Sequence, residues 1–365
     1  MRAQILLLMF ICPCLFGQAI GRASEAKQQT LAPDLPTAKL SFSEPDLNHP
    51  IQPPSSSPLM GGPPECGSDG RIFLHYRVPP PTYIYSIIQS VSPNGGKTAD
   101  YRVDRIAGLT RPTLLAYDPG VSAVSIIIEA VPAGQPGVSS VGHYLALYSY
   151  DGELMHFSRL DLSPTFAPIQ IAQLTDDSFL LIGFDPADGR SHFLLIDSRG
   201  KLLRDLDANS IMPTEQQLKT MMGGLNFAGP KPEDIPPSMR AGMMLGLFRP
   251  VHSNSGLLLL EPGAEARVVE LLRNGDMRTV RLKLPKKQIA DSIVTSRGRW
   301  YVRAFLEGTD DQYSLYQVDS ETGEATARVD TAAVPPGSIA CAYDAGFSAV
   351  RWIDSKFYLM FGDLR

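Results

Sequence analysis

Cysteines, histidines, paired aspartates and a methionine-rich stretch are the residues of this sequence whose types and spacing suggest chemistry. Cys12 and Cys14 lie in an apolar leader, so Cys66 and Cys341 are the pair left to a processed chain. In an oxidising compartment these two are expected to form a disulfide, the alternative being two free thiols. His143 and His192 hold equivalent places in two similar segments, Gly142 to Leu154 and Ser191 to Leu202. Read functionally they would be metal ligands or bases on one face. Gln312 fills the same place in a third segment, so they are read as part of a repeat. Asp185-Pro186-Ala187-Asp188-Gly189 has the outline of a calcium loop but lacks the alternating acids and closing glutamate, and it reads as a hairpin turn. Asp176-Asp177 and Asp310-Asp311 read the same way. Half of the methionines fall in one segment: Met212, Met221, Met222, Met239, Met243 and Met244. Thioethers are soft copper(I) ligands, adaptable binding groups or plain packing groups. Met221, Met222, Met243 and Met244 are the candidate binding residues. Tyr83, Tyr85, Tyr144, Tyr148 and Tyr150 suit cross-strand packing better than sugar stacking. No nucleophile elbow, His-Glu-x-x-His, Cys-x-x-Cys or phosphate loop occurs, so no catalytic residue is assigned and neither a cofactor nor a metal is expected.

The elements that must position these residues differ along the chain. Arg2, the apolar run Ile5 to Phe16, and small residues at Gly17, Ala19 and Gly21 make residues 1–21 a signal peptide. The run is too short to span a bilayer. The processed chain is expected to be secreted or periplasmic, without stable membrane insertion. A net charge of −5 and the lack of a basic tract exclude nucleic acid as a partner. The expected partner is a protein, a small molecule or a glycan. Residues 22–65 are a Pro-rich linker, with one island, Ala38 to Phe42, that alternates like a strand.

From residue 66 to 365 short runs of Val, Ile, Leu, Tyr and Phe alternate with glycine turns, as in hairpin-built all-β domains. Four segments repeat a strand, a tight turn and a polar outer strand: Gly142 to Leu154, Ser191 to Leu202, Ala266 to Gly275 and Asp311 to Gly323. A second turn precedes a more apolar strand six times, at Ser68-Asp69-Gly70, Asp118-Pro119-Gly120, Thr175 to Ser178, Asn254-Ser255-Gly256, Ser296-Arg297-Gly298 and Asp354-Ser355-Lys356. Four-stranded units of this length are a propeller signature. Residues 66–365 thus resemble the β-propeller superfamily, and most of all the six-bladed propellers of exported bacterial proteins; five to seven blades fit the spacing. One insertion, 208–245, breaks the rhythm, with a helix expected over Pro213 to Met222 between a proline start and a Gly-Gly stop.

After Asp354-Ser355 the last unit has a single strand, and an open ring would expose sheet edges. Residues 38–42 are the candidate closing strand, with Cys66–Cys341 as a latch near the same seam. The absence of any catalytic motif leads to the expectation of a non-enzymatic binding or scaffold module. The alternative is a propeller-type hydrolase, lactonase-like, or a lyase, with its site in the central channel. Fold alone does not choose. Acids or histidines converging in the channel from three blades would favour the enzyme.

Overall fold

The continuous apolar runs are explained by burial on both faces. In the strand Ser178–Phe184, Phe179 and Leu181 enter one hydrophobic cluster, while Leu180 and Ile182 enter another. Leu257 and Leu259 of Gly256–Glu261 likewise join the cluster of Leu180, whereas Leu258 and Leu260 join a third. Side chains alternate across a strand, so a strand apolar at every position needs a packed layer on each side. The computed structural model describes residues 35–364 apart from 49, 52–58, 63, 79–84, 93–95, 134–140, 164, 188, 209–210, 213–235, 237–240, 243, 247, 310–311, 332–338, 344–345 and 355. The expected signal peptide and the expected helix at 213–222 lie outside the described residues.

The chain is all-β and propeller-like. The first sheet joins β2 (Leu59–Met60), β4 (Ile72–Val78), β5 (Tyr85–Val91) and β6 (Lys97–Arg102), with β3 (Glu65–Cys66) also paired to β4. Three four-stranded antiparallel meanders follow. They are β7 to β10 (Leu109–Pro119, Val124–Pro132, Gly142–Tyr148, Leu154–Arg159), β11 to β14 (Ala167–Thr175, Ser178–Phe184, Ser191–Asp197, Leu202–Leu206) and β15 to β18 (Pro250–His252, Gly256–Glu261, Arg267–Leu272, Met277–Arg281). The last sheet has eight strands. One end is β19 to β22 (Gln288–Ser296, Arg299–Leu306, Tyr313–Val318, Ala325–Asp330), and the other is β23 to β25 (Ile339–Tyr343, Gly346–Ile353, Lys356–Leu364). Between them lies β1 (Thr37–Phe42), parallel to β22 through Thr37↔Arg328 and antiparallel to β25 through Leu40↔Leu364.

Successive sheets pack face to face around a cycle. Clusters centred on Phe73, Ile126 and Tyr148, on Ile127 and Leu181, on Phe193 and Leu257, on Val268 and Val302, and on Leu40, Tyr301 and Phe347 fill the gaps in order. Ile72, Leu74 and Tyr76 of β4 then pack with Leu359 of β25, joining the last sheet to the first. The turns between third and fourth strands show why glycine recurs there. Gly200 and Gly323 have φ of 79° and 71°. A Cβ at these sites would stand 2.9 and 2.0 Å from the carbonyl oxygens of Arg159 and Arg281, in the last strand of the preceding sheet.

One expectation changes. The turn at Asp354 joins the second and third strands of its unit, not the first and second. That unit draws three strands from the end of the chain, and the five-residue β23 is too short for a reading based on long apolar runs. The described ends of the 208–245 insertion, and Phe248 just beyond it, are packed into the core. Ile211, Ala241, Met244, Leu245 and Phe248 are buried between the sheets of β11–β14 and β15–β18.

Candidate functional site

The first strands of the units, β3, β7, β11, β15, β19 and β23, touch one another in that order, and β23 touches β3 again. These strands therefore surround a common axis. Most of each sheet is apolar, but here polar groups gather: Glu65 on β3, Tyr117 and Asp118 on β7, Gln173 on β11, Arg249 and His252 at β15, and Thr295 on β19.

Two charged pairs form the centre. His252 turns Nε2 toward both Asp118 oxygens, at 2.9 and 3.1 Å. Asp118 Oδ2 also accepts the Gln173 backbone N–H at 2.7 Å. The Thr295 hydroxyl donates to the His252 carbonyl at 2.6 Å, fixing the strand that carries the imidazole. Nδ1 of His252 meets no partner among the described residues. In the second pair, Arg249 donates to Glu65 Oε1 at 2.5 Å. The side chains of His252 and Glu65 keep 25% and 24% of their surface open, so the cluster is enclosed by protein yet reachable by solvent.

The electrostatics follow from this enclosure. Burial pulls the His252 pKa down, but the charge and hydrogen bond of Asp118, with Glu65 adding, hold it above the ordinary histidine value. Burial raises the Glu65 pKa and the Asp118 charge adds to it, outweighing Arg249 and His252. Burial likewise drives the Tyr117 phenol well above its usual range, with Glu65 reinforcing. His75 stands edge-on to Tyr117 at 6.0 Å. It is buried without a partner for Nε2, and burial, then Arg77, lower its pKa to about 4. The disulfide Cys66–Cys341, Cα–Cα 5.6 Å, ties β3 to β23 one residue from Glu65.

The residues singled out in the sequence lie elsewhere. His143 and His192 do hold equivalent places, on the third strands β9 and β13. There they face Glu129 at 3.7 Å and Asp205 at 3.1 Å, away from the axial cluster. Asp185 closes its own turn by accepting the Ala187 N–H at 2.9 Å, and Asp176 accepts from the Ser122 hydroxyl at 2.9 Å. Tyr144 stacks on Phe157 at 5.1 Å and Tyr148 meets Tyr101 edge-on. Tyr150 donates to the Gly120 carbonyl. Met244 is 4% exposed within the core, so its thioether is not offered to a ligand. Met221, Met222, Met243, Tyr83, Asp188, Asp310 and Asp311 lie outside the described residues.

Glu65, Asp118, Arg249 and His252 were not found from sequence. A signal existed in the phase of the repeat. Glu65, Asp118, Gln173, His252 and Thr295 all stand within a few residues before the turn that leads into the second strand. That column is where a unit presents polar groups to the axis. The expectation of a non-enzymatic binding or scaffold module is not supported, since Glu65, Asp118 and His252 converge from three different sheets. Among the described residues no three His, Cys, Asp or Glu side chains are grouped so as to hold a metal.

No family model matches the chain, and no curated protein sequence matches it. Among solved structures, it is similar to a puromycin hydrolase, at 14% identity and a TM-score of 0.40, over 83% of this chain and 42% of that one. The chain thus spans less than half the length of that protein. It is also similar to a PQQ-bound aldose sugar dehydrogenase from Streptomyces coelicolor, at 12% identity and a TM-score of 0.40, covering 90% of this chain and 100% of that one. A third is an α-L-arabinanase from Penicillium chrysogenum in complex with arabinobiose, at 12% identity and a TM-score of 0.38, covering 91% and 99%. Likenesses this distant assign no activity, and the propeller-like architecture stands on the sheet order and cyclic packing of the chain itself.

Proposed function

We propose that this chain is an exported six-bladed propeller hydrolase with its site on the propeller axis. Six blades are supported by the cycle of six first strands and by β1 completing β23–β25 in antiparallel register. Export is supported by the signal-like residues 1–21 and by the disulfide, which belongs to an oxidising compartment.

The observation that carries the reading is the His252–Asp118 pair, whose Nδ1 has no partner among the described residues. An ionised Asp118 keeps the proton on Nε2, so Nδ1 offers its lone pair. His252 takes a proton from water as the water oxygen bonds to the electrophilic carbon. The bond from that carbon to the leaving oxygen breaks. Glu65, biased by burial toward its neutral form, returns a proton to that oxygen. The test is turnover of chromogenic esters, lactones and glycosides by the purified protein and by His252→Gln and Asp118→Asn. At least one bond class is expected to be cleaved, with His252→Gln slower by about 100- to 10,000-fold. Cleavage that survives His252→Gln unchanged, or none in all three classes, refutes the proposal.

A further inference from the structure

The axial cluster carries one group that proton transfer leaves unused, the outer edge of the Arg249 guanidinium. We infer that the site takes a substrate bearing a carboxylate, received by the open edge of Arg249. This names the substrate class of the hydrolase proposed above and rests on that reading.

Arginine has five N–H donors in a planar fork. Arg249 uses Nη2 on Glu65 and meets no other acceptor among the described residues, although its side chain stays 42% open. Three other paired arginines are more fully engaged. Arg303 makes three contacts to the two oxygens of Asp291. Arg278 is shared by Glu270, Glu321 and the Ser320 carbonyl. Arg102 grips both oxygens of Asp104. Arg249, by contrast, holds Glu65 through one nitrogen, and two parallel N–H groups on one edge match a carboxylate better than any neutral group.

The charge balance makes the same point. Arg249 is the fixed cation facing two carboxylates, and His252 adds a second positive charge only when protonated. Asp118 is fully engaged, with both oxygens on His252 and one also on the Gln173 N–H. Glu65 has one oxygen on Arg249. The charged groups facing Glu65 are Arg249, Asp118 and His252, and the Tyr117 phenol beside it senses its charge. A third carboxylate entering as an anion would leave the site with excess negative charge. Protonation of Glu65 removes that excess and frees Arg249 for the newcomer. Carboxylate binding is therefore coupled to uptake of about one proton, and tightens by up to about tenfold per pH unit as pH falls.

The test uses the intact protein and acetate as the probe, with acetamide as its neutral counterpart. Binding is read by calorimetry in two buffers of different ionisation heat at pH 6 and pH 8, and by the His252 ring signals in NMR. Acetate is expected to bind, acetamide not, with proton uptake and a lower Kd at pH 6. Arg249→Gln is expected to weaken acetate by about tenfold or more, the scale of one lost charge-assisted contact. Arg249→Lys, which keeps the charge and loses the fork, should fall between the two. Galacturonate and N-acetylalanine then distinguish an acidic sugar from a peptide terminus as the source of the carboxylate. Acetate binding no tighter than acetamide, or unchanged in a folded Arg249→Gln, overturns the inference. Persisting His252-dependent ester cleavage in that case leaves the hydrolase standing. Acetate binding without turnover of any substrate class removes the hydrolase and leaves the receptor.

Discussion

Breaking the Cys66–Cys341 bond measures how much of the cyclic closure is covalent. The bond joins residues separated by 275 positions. Cross-linking so long a loop removes denatured-state entropy worth about 5 kcal/mol in the chain-entropy model. Unfolding roughly 300 residues carries an entropy near 0.6 kcal/mol/K, so loss of the bond lowers the thermal midpoint by about 8 °C. The folded state itself should survive. At the same seam β1 is hydrogen-bonded to β25, and Ile72, Leu74 and Tyr76 pack with Leu359. The expected signature is a native circular dichroism spectrum at 20 °C with a lowered midpoint. The assay is a thermal melt with and without a dithiol reductant, a thiol count confirming release of two thiols, and the same melt on a Cys66→Ala, Cys341→Ala double variant. A midpoint that moves by less than about 1 °C with both thiols counted would refute the reasoning. Loss of the native spectrum on reduction would show instead that the non-covalent seam is insufficient.

Three further outcomes are expected. The His75 pKa lies below its unfolded value, so this residue contributes stability that is present above pH 6.5 and lost as pH falls toward about 4. The loss is about 3 kcal/mol at most, and His75→Gln should flatten that part of a urea-midpoint profile; an unchanged acid slope sinks the idea. His252 has the opposite sign: its pKa is raised, so its contribution is full below pH 6.5 and fades as pH rises through the folded value. NMR titration should place the wild-type His252 pKa above the ordinary histidine value of about 6.5 and show it falling in Asp118→Asn, where burial is less opposed; an unmoved titration contradicts the pairing. Leu40 is completely buried against Tyr301, Leu315, Val329 and Phe347, so Leu40→Ala should cost about 2–5 kcal/mol by urea denaturation. A cost near that of a surface substitution would mean that β1 does not seal this seam.

What was legible in the sequence was local or countable. Strand and turn positions could be read because alternation and left-handed glycines act over a few residues. Gly200 and Gly323 illustrate this, each closing a third-to-fourth-strand turn. The disulfide was legible by counting, since only two cysteines remain once the expected leader is set aside. The fully buried second strands were visible as runs such as Leu257 to Leu260, because a layer on each side demands apolar residues at every position. β23 was misread because its five residues give little period to detect.

The site was not legible, because what makes it is distance along the chain. Asp118 and His252 are separated by 134 positions, and Arg249 and Glu65 by 184. Each polar residue taken alone looks like part of a turn or the end of a strand. His143 and His192 looked more significant because they repeat, yet repetition in the third strand reflects only a shared place in the sheet. The sequence by itself determined an all-β, repeated, covalently latched chain, since strand periodicity, turn sterics and cysteine number are properties of short segments. Only the tertiary structure decided which acids, arginine and histidine meet, because inter-sheet packing brings the first strands around one axis and joins residues that no local spacing relates.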